Sequence, residues 1–438
     1  MNSQGLGFAD RYLTPAELEN AVIEALQALD LAGRRVLVIV PDGTRTMPLP
    51  QMHALLARHL APRTAAMDYL IALGTHRPMD DAALSQHFGI PVVQGNLSTG
   101  RVFNHRWMDS STFTHLGTLT ADRIHDLTGG LFTQDVPVRL NRLILDYDRL
   151  LILGPVFPHE VVGFSGGNKY FFPGIAGAEI IHFTHWLGAM LTSSRIIGTG
   201  PTPVRAVIDA AAAFIPTPAA CLALVVTHEG VAGCFYGAPQ EAWQSAAALS
   251  ARVHIRYVEK PYQRVLSVMP TLYDDLWTAA KGMYKVEPVV ADGGEVIIYA
   301  PHIREVSYSH GALLDEIGYH TRDYFLKQWE RFKDYPWGIL AHSTHVKGTG
   351  QYDALTGVET PRIRVTLATG IPRERCQRLH LGYLDPASIH PAEWEGREAE
   401  GLLLVPRAGE ILYRLREGGI MEPTSRQKAG SEDQLTSS

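Results

Sequence analysis

Cysteine is scarce: Cys221, Cys234 and Cys376 are the only three in 438 residues. They are too few and too far apart for a disulfide framework or a zinc ribbon, and they fit a reducing cytoplasm. An excess of positive charge is also missing. The chain carries 39 Lys+Arg against 45 Asp+Glu, a formal net charge of -6, which argues against a nucleic-acid binder. No apolar run is long enough for a membrane span. The longest, residues 210–226, is interrupted by Pro216 and Pro218 and falls short of the ~20 apolar residues a spanning helix needs. The first ten residues show no basic segment ahead of an apolar core, so no secretory signal is expected there. Residues 424–438 are almost wholly polar and are expected to be disordered.

What is present is the composition of a globular protein, 46% hydrophobic and 19% charged. At roughly three times the ~150 residues of an average domain, two domains are expected. Thr14-Pro15-Ala16-Glu17 is a capping box that opens a helix to about Leu29. Short continuous apolar runs at 36–40, 69–73 and 150–153 read as strands buried on both faces. Helices are expected over 50–60 and from Asp80-Asp81 to about His87. A further strand is expected at 219–227 and a helix at 240–251. A second unit has a helix over 273–283, a strand at 295–299, a helix at 321–332, and strands at 364–368 and 402–405. The alternation indicates an α/β protein of two domains, each with a mostly parallel sheet flanked by helices. The domains are read as 1–262 and 263–423, followed by the tail 424–438.

Chemistry-bearing residues follow the early strands directly. Asp42 and Arg45 come after the first, His76 and Arg77 after the second, and His159 after the third. In an open parallel sheet ligands bind beyond the carboxyl ends of the strands, so these three ends would put acid, base and anion-binding groups around one cleft. Next comes Gly163-Phe-Ser165-Gly166-Gly167-Asn168-Lys169, whose small residues let backbone N–H groups approach an anion. It is not a P-loop, because Asn168 stands at the penultimate glycine and Tyr170 replaces the Mg²⁺-binding hydroxyl. His182 and His185 share one face of a helix expected over 178–191. They could bind a metal, or one could be structural.

Together, Asp42-Gly-Thr44-Arg45, Gly74-Thr-His76-Arg-Pro78, Pro158-His159, the 163–169 loop and His185 resemble the nickel-pincer lactate racemase family, in order and in spacing. Trp277-Thr278-Ala-Ala-Lys281-Gly282 resembles a further segment of that family. The resemblance implies a nickel-pincer nucleotide, a nickel pyridinium-3,5-bisthiocarboxylic acid mononucleotide. Lys169 would anchor it covalently and His185 would complete the nickel coordination. Ser165, Gly166, Gly167, Asp42 and Thr44 would hold the nucleotide. His76 and His159 match the two catalytic histidines, one for each face of the substrate. Arg45 and Lys281 would meet the substrate carboxylate, with Trp277 and Thr278 beside it. The implied reaction is inversion of C2 of a 2-hydroxy acid by reversible hydride transfer. The enzyme would be cytoplasmic, with its site in the interdomain cleft, and dependent on cofactor-synthesis proteins but not on nucleic acid or membrane.

Two departures bear on the substrate. Lactate-active members carry Tyr-Gln where this chain has Trp277-Thr278, which enlarges the pocket. The polar stretch 342–350 reads either as a solvated loop or as the lining for a longer, sugar-acid-like substrate. Two rival readings are a phosphate-binding oxidoreductase or transferase that uses the 163–169 loop for an ordinary nucleotide, and a ligand-sensing homologue without activity.

Overall fold

The computed structural model describes residues 4–416, and the stretch 424–438 lies outside the described residues. The runs at 36–40, 69–73 and 150–153 form the strands Arg35–Pro41, Ala66–Ala72 and Arg149–Pro155. With Ala219–Thr227 and Gly100–Asn104 they make the parallel centre of an 8-stranded sheet. Gly230–Gly237 and Gln4–Gly7 extend one edge in antiparallel fashion, and Asn96–Leu97 the other. Because successive side chains alternate, Val38 and Leu151 pack under helices Pro15–Ala28 and Leu49–His59. Ile39 and Ile152 face the opposite layer, with helices Ala178–Leu191, Pro203–Ala212 and Pro239–His254. Both faces are apolar, which is why these strands read as continuous rather than alternating runs.

Local signals act as expected at the helix starts. Thr14 Oγ1 accepts the Glu17 N–H, while the Glu17 carboxylate accepts the Thr14 N–H at 2.8 Å. Asp80 caps Asp81–Phe88 by accepting the Ala83 N–H at 2.8 Å.

The second sheet has five strands, all parallel, in the order Gly382–Tyr383, Arg364–Thr369, Val290–Ala300, Tyr262–Val268 and Leu402–Val405. The strand Leu412–Leu415 pairs in parallel with Ile255–Val258. Helix Ala178–Leu191 packs against helix Trp337–Lys347, and Trp186 stacks on Trp329 at 5.5 Å, so the two halves share packing. Arg322 donates to the Met190 carbonyl at 2.6 Å across the same junction. Among the described residues no helix is long and apolar enough to cross a membrane.

Three expectations need correction. The helix over 273–283 is two short segments, Leu276–Ala279 and Lys281–Tyr284, interrupted at Ala280. The helix over 321–332 is likewise split into Arg322–Lys327 and Trp329–Phe332, around a bend at Gln328. The stretch 342–350 is not a solvated loop, since most of it lies in the buried helix Trp337–Lys347. Ser343 is satisfied internally: its Oγ donates to the Gly318 carbonyl and accepts from the His320 N–H, each at 2.9 Å. Polar composition signals exposure only when such partners are missing.

Candidate active site

Parallel register brings the strand ends to one edge of the first sheet. Pro41 lies beside Ala72, Ile39 beside Ile152, and Leu224 beside Pro155. The segments leaving that edge meet Trp277, Thr278, Lys281, His342 and His345 from the second half around a cavity of about 130 Å³. Asp42, Arg45, His76, His159, Ser165, Gly166, Lys169 and His185 line it from the first half. Of the residues given a site role by the resemblance, Thr44 and Gly167 stay outside this lining. Thr44 borders the adjoining cleft of about 910 Å³, which shares Thr75, His76, Trp277 and Thr278 with the cavity. His310 bridges the two halves here, its Nε2 lying 3.1 Å from Thr75 Oγ1.

The 163–169 loop is held from behind. Arg205 donates to the carbonyls of Gly166 and Phe164 at 3.1 and 2.5 Å, and Trp243 Nε1 donates to that of Ser165 at 2.9 Å. Gly166 and Gly167 have φ of 86° and 56°, and a Cβ on Gly167 would meet Trp243. Only glycine takes these angles without strain. Ser165 Oγ accepts the Phe157 N–H at 2.9 Å, so its hydroxyl ties the loop to the preceding strand exit. Asn168 donates to Asp209 at 2.9 Å. The charged group that the loop presents to the cavity is therefore Lys169, beside Ser165 and Gly166.

His76 and His159 are held differently. Asp42 Oδ1 accepts from Thr44 N and Oγ1 at 3.1 and 2.6 Å, and Oδ2 lies 2.5 Å from His76 Nδ1. Burial by itself would raise the Asp42 carboxyl, but His76, Arg45 and Thr44 outweigh it and hold it well below its usual value. A carboxylate there makes Nδ1 the protonated nitrogen of His76 and leaves Nε2 basic. Asp42 and Thr44, assigned by resemblance to the nucleotide, here orient His76. His159 sits on the hairpin formed by Pro158–His159 and Gly163–Phe164, opposite Gly163. Its Nδ1 accepts the Val161 N–H at 3.1 Å. Burial, then Lys169, Arg45, His185 and Lys281, hold its basicity well below normal.

Positive charge is concentrated without equal anionic compensation. Burial, reinforced by Arg45, lowers Lys169 to about 7 and Lys281 well below its ordinary value. Burial also brings Lys285, whose Nζ donates to the Glu410 carbonyl at 2.7 Å, to about 7. The unfolded chain therefore holds more protons than the folded one between pH 7 and about 10, and stability must rise with pH in that window. For the ligand-free protein, thermal unfolding between pH 7 and 9 is expected to gain on the order of 1 kcal/mol per pH unit. An added 2-hydroxy acid should flatten the slope. A midpoint that falls across pH 7–9 would contradict these buried amines.

The His182/His185 pair divides. His185 Nδ1 lies 2.7 Å from the Ile181 carbonyl, which only accepts, so Nδ1 carries the hydrogen and Nε2 keeps its lone pair. Burial lowers its basicity to about 4, and the ring is neutral near pH 7. His182 turns away and its Nδ1 accepts the Gly338 N–H at 3.2 Å. Among the described residues no group of three or more His, Cys, Asp or Glu side chains is arranged to hold a metal ion.

Beside the cavity Trp277 stacks on His342, ring centroids 3.9 Å apart. His345 Nε2 is buried and without a hydrogen-bond partner. Thr278 does not offer a free hydroxyl, because Oγ1 donates to Asp275 at 2.8 Å. Lys347 also points away, pairing with the His380 carbonyl. Of the 342–350 stretch, only His342 and His345 line the cavity. The sequence reading missed Glu160 and Tyr284, which also line it. Glu160 was detectable as a titratable side chain directly after His159, whereas Tyr284 lies in no motif.

Residues 16–197 match the lactate racemase N-terminal domain. The lactate racemase of Thermoanaerobacterium thermosaccharolyticum is 24% identical over 320 residues, covering 70% of this chain and 69% of that protein. That of Lactiplantibacillus plantarum is 28% identical over 166 residues, 37% and 35% of the two chains. Among solved structures, a Thermotoga maritima protein superposes with a TM-score of 0.86 at 31% identity, over 94% of this chain and 100% of that one. The lactate racemase apoprotein of T. thermosaccharolyticum gives 0.69 at 19% identity over 90% and 92%, a likeness of fold. A matching N-terminal domain over residues 16–197, relatives of one name in two organisms and a fold shared along nine-tenths of the chain agree, and together they support the lactate racemase family for this chain.

Proposed function

We propose that the protein is a racemase or epimerase that inverts C2 of a 2-hydroxy acid. Relatives named lactate racemase support the reaction class. The observation that carries the reading is the meeting of two separately held histidines, His76 and His159, with Arg45 and Lys281 in one cavity. Racemisation needs a proton acceptor on each side of the substrate, because the hydroxyl of one enantiomer points where the other's does not. Arg45 and Lys281 bind the carboxylate, and the planar guanidinium fixes its orientation. His76, oriented by Asp42, takes the alcohol proton of one enantiomer at Nε2. His159 serves the other.

C2 inversion also needs somewhere for the C2 hydrogen to go. In this reading a nickel-pincer nucleotide supplies a reversible hydride acceptor when bound. The donor set suits that group. Lys169 is a buried primary amine, partly in free-base form near pH 7, at the mouth of a rigid glycine loop. His185 offers one imidazole lone pair, and among the described residues no group of three or more His, Cys, Asp or Glu side chains is arranged to complete a metal site. A nickel held there would take its remaining donors from the bound group, and soft sulfur with imidazole suits Ni(II). Loading of the protein would then depend on the proteins that make the group.

For the substrate we favour an acid with a longer, hydroxylated tail. His345 Nε2 has no internal partner, His342 lies beside it, and the 910 Å³ cleft beyond Trp277 leaves room for such a tail. A site with buried polar groups discriminates against an analogue that leaves them unpaired. Protein made in a host supplying the cofactor should erode the optical purity of enantiopure gluconate faster than that of lactate or 2-hydroxybutyrate. Retained optical purity across such a panel, with cofactor demonstrably bound, would refute the racemase reading.

The metal assignment has its own test. His185→Ala should lose nickel and activity, while His182→Ala, which removes only the contact to Gly338, should keep most of both. Metal analysis showing the reverse pattern would mean that the wrong face of helix Ala178–Leu191 was assigned.

A further inference from the structure

The proton chemistry of His159 has a requirement that its resting hydrogen bond does not meet. An imidazole that accepts a proton at Nε2 must already carry its hydrogen on Nδ1. An imidazolium that donates from Nε2 carries one on Nδ1 too. Both working states need an acceptor at Nδ1. His76 has one in Asp42 Oδ2 at 2.5 Å. At His159 Nδ1 the hydrogen-bonding partner is instead a donor, the Val161 N–H at 3.1 Å. That contact selects the tautomer with hydrogen on Nε2, which cannot take a proton there.

The carboxylate paired with the same nitrogen is Glu160, with Oε2 3.3 Å from His159 Nδ1. Its side chain is 16% exposed and hydrogen-bonded to Tyr284. The other charged or titratable groups acting on His159 are Lys169, Arg45, His185 and Lys281, and all of them oppose a second positive charge. We propose that Glu160 is the positioning residue that moves His159 from a resting tautomer, held by the Val161 N–H, to a working one that donates Nδ1–H to the carboxylate. In the working state the alcohol proton passes to Nε2, Nδ1 keeps its own, and the imidazolium stands against Glu160. Donation to the opposite face reverses the transfer. Asp42 and Glu160 are then equivalent partners, one fixed and one switchable.

This inference rests on the reading of His159 as a proton-transfer group, and its test separates the two. The first readout needs no cofactor: ¹⁵N-resolved spectra of the histidine rings in ligand-free protein at neutral pH. His159 in the wild type should show Nδ1 partly protonated, an average of two tautomers. In Glu160→Ala it should show Nδ1 fully unprotonated. An unchanged Nδ1 signal overturns the proposal whatever the activity. In loaded enzyme, Glu160→Ala should lower kcat about 10²–10⁴-fold with KM changed by less than about threefold. The loss should fall on the first half-reaction of one enantiomer only. An equal loss in the first half-reactions of both enantiomers would mean general damage and would overturn it as well. Glu160→Gln keeps the side-chain shape and an acceptor oxygen but not the charge. It should retain the averaged Nδ1 signal while activity falls, and full activity in this variant would also contradict the proposal. A shifted tautomer in a protein that racemises nothing would support the role of Glu160 and refute the racemase reading.

Discussion

Lys169→Ala protein made in a host that supplies the nickel-pincer nucleotide should carry no covalent adduct and have no racemase activity. Covalent attachment through a thioamide needs a primary amine, and Lys169 is the amine that the 163–169 loop delivers to the cavity. At about 7, on the order of half of it is unprotonated at neutral pH, compared with on the order of one in 10³ for an ordinary lysine. Lys281 is also buried there, but its Nζ donates to the Thr278 carbonyl at 3.2 Å and lies over the Tyr273 ring. It should not substitute. Lys169→Arg should fail as completely, since a guanidinium preserves charge and length but offers no such nucleophile. Intact-mass measurement decides the matter, and a cofactor-sized adduct that survives on Lys169→Ala would refute the assignment.

The second large effect is expected at the two histidines. Neither His76→Ala nor His159→Ala should complete racemisation at an appreciable rate, with losses of about 10²–10⁴-fold or more. The partial reactions should differ between them. His76→Ala should still release keto acid from one enantiomer, and His159→Ala from the other. Stopped reactions analysed by chiral chromatography measure this. Near-normal racemisation by either variant would remove that histidine from the mechanism. Asp42→Asn should share the handedness of His76→Ala, because the carboxylate fixes the His76 tautomer at 2.5 Å.

Much of the first half was legible because its signals are local. The buried strands are continuous apolar runs, and the capping side chains at Thr14 and Asp80 bond in the structure as their spacing implies. Strand order then follows from parallel crossovers, and with it the convergence of Asp42, His76 and His159 on one edge. The second half was harder to read. Trp277, Thr278 and Lys281 lie on short helical segments broken at Ala280, a break that no spacing signal marks. His342 and His345 looked solvent-facing by composition, yet they are buried on a helix whose Ser343 finds its partners more than twenty residues away in sequence. The pairings that set hydrogen positions, Asp42 with His76 and Glu160 with His159, depend on side-chain direction, which no spacing rule provides.

Inversion of C2 by hydride transfer would move the C2 hydrogen away and back without exchange into water. The most direct test uses an enantiopure 2-hydroxy acid carrying deuterium at C2, incubated with the loaded enzyme in ordinary water. Optical purity and deuterium content are then followed together. The account expects optical purity to fall towards zero while deuterium stays at C2 in both enantiomers. Racemisation accompanied by matching loss of deuterium to solvent would contradict it, because inversion would then proceed by removing a proton from carbon.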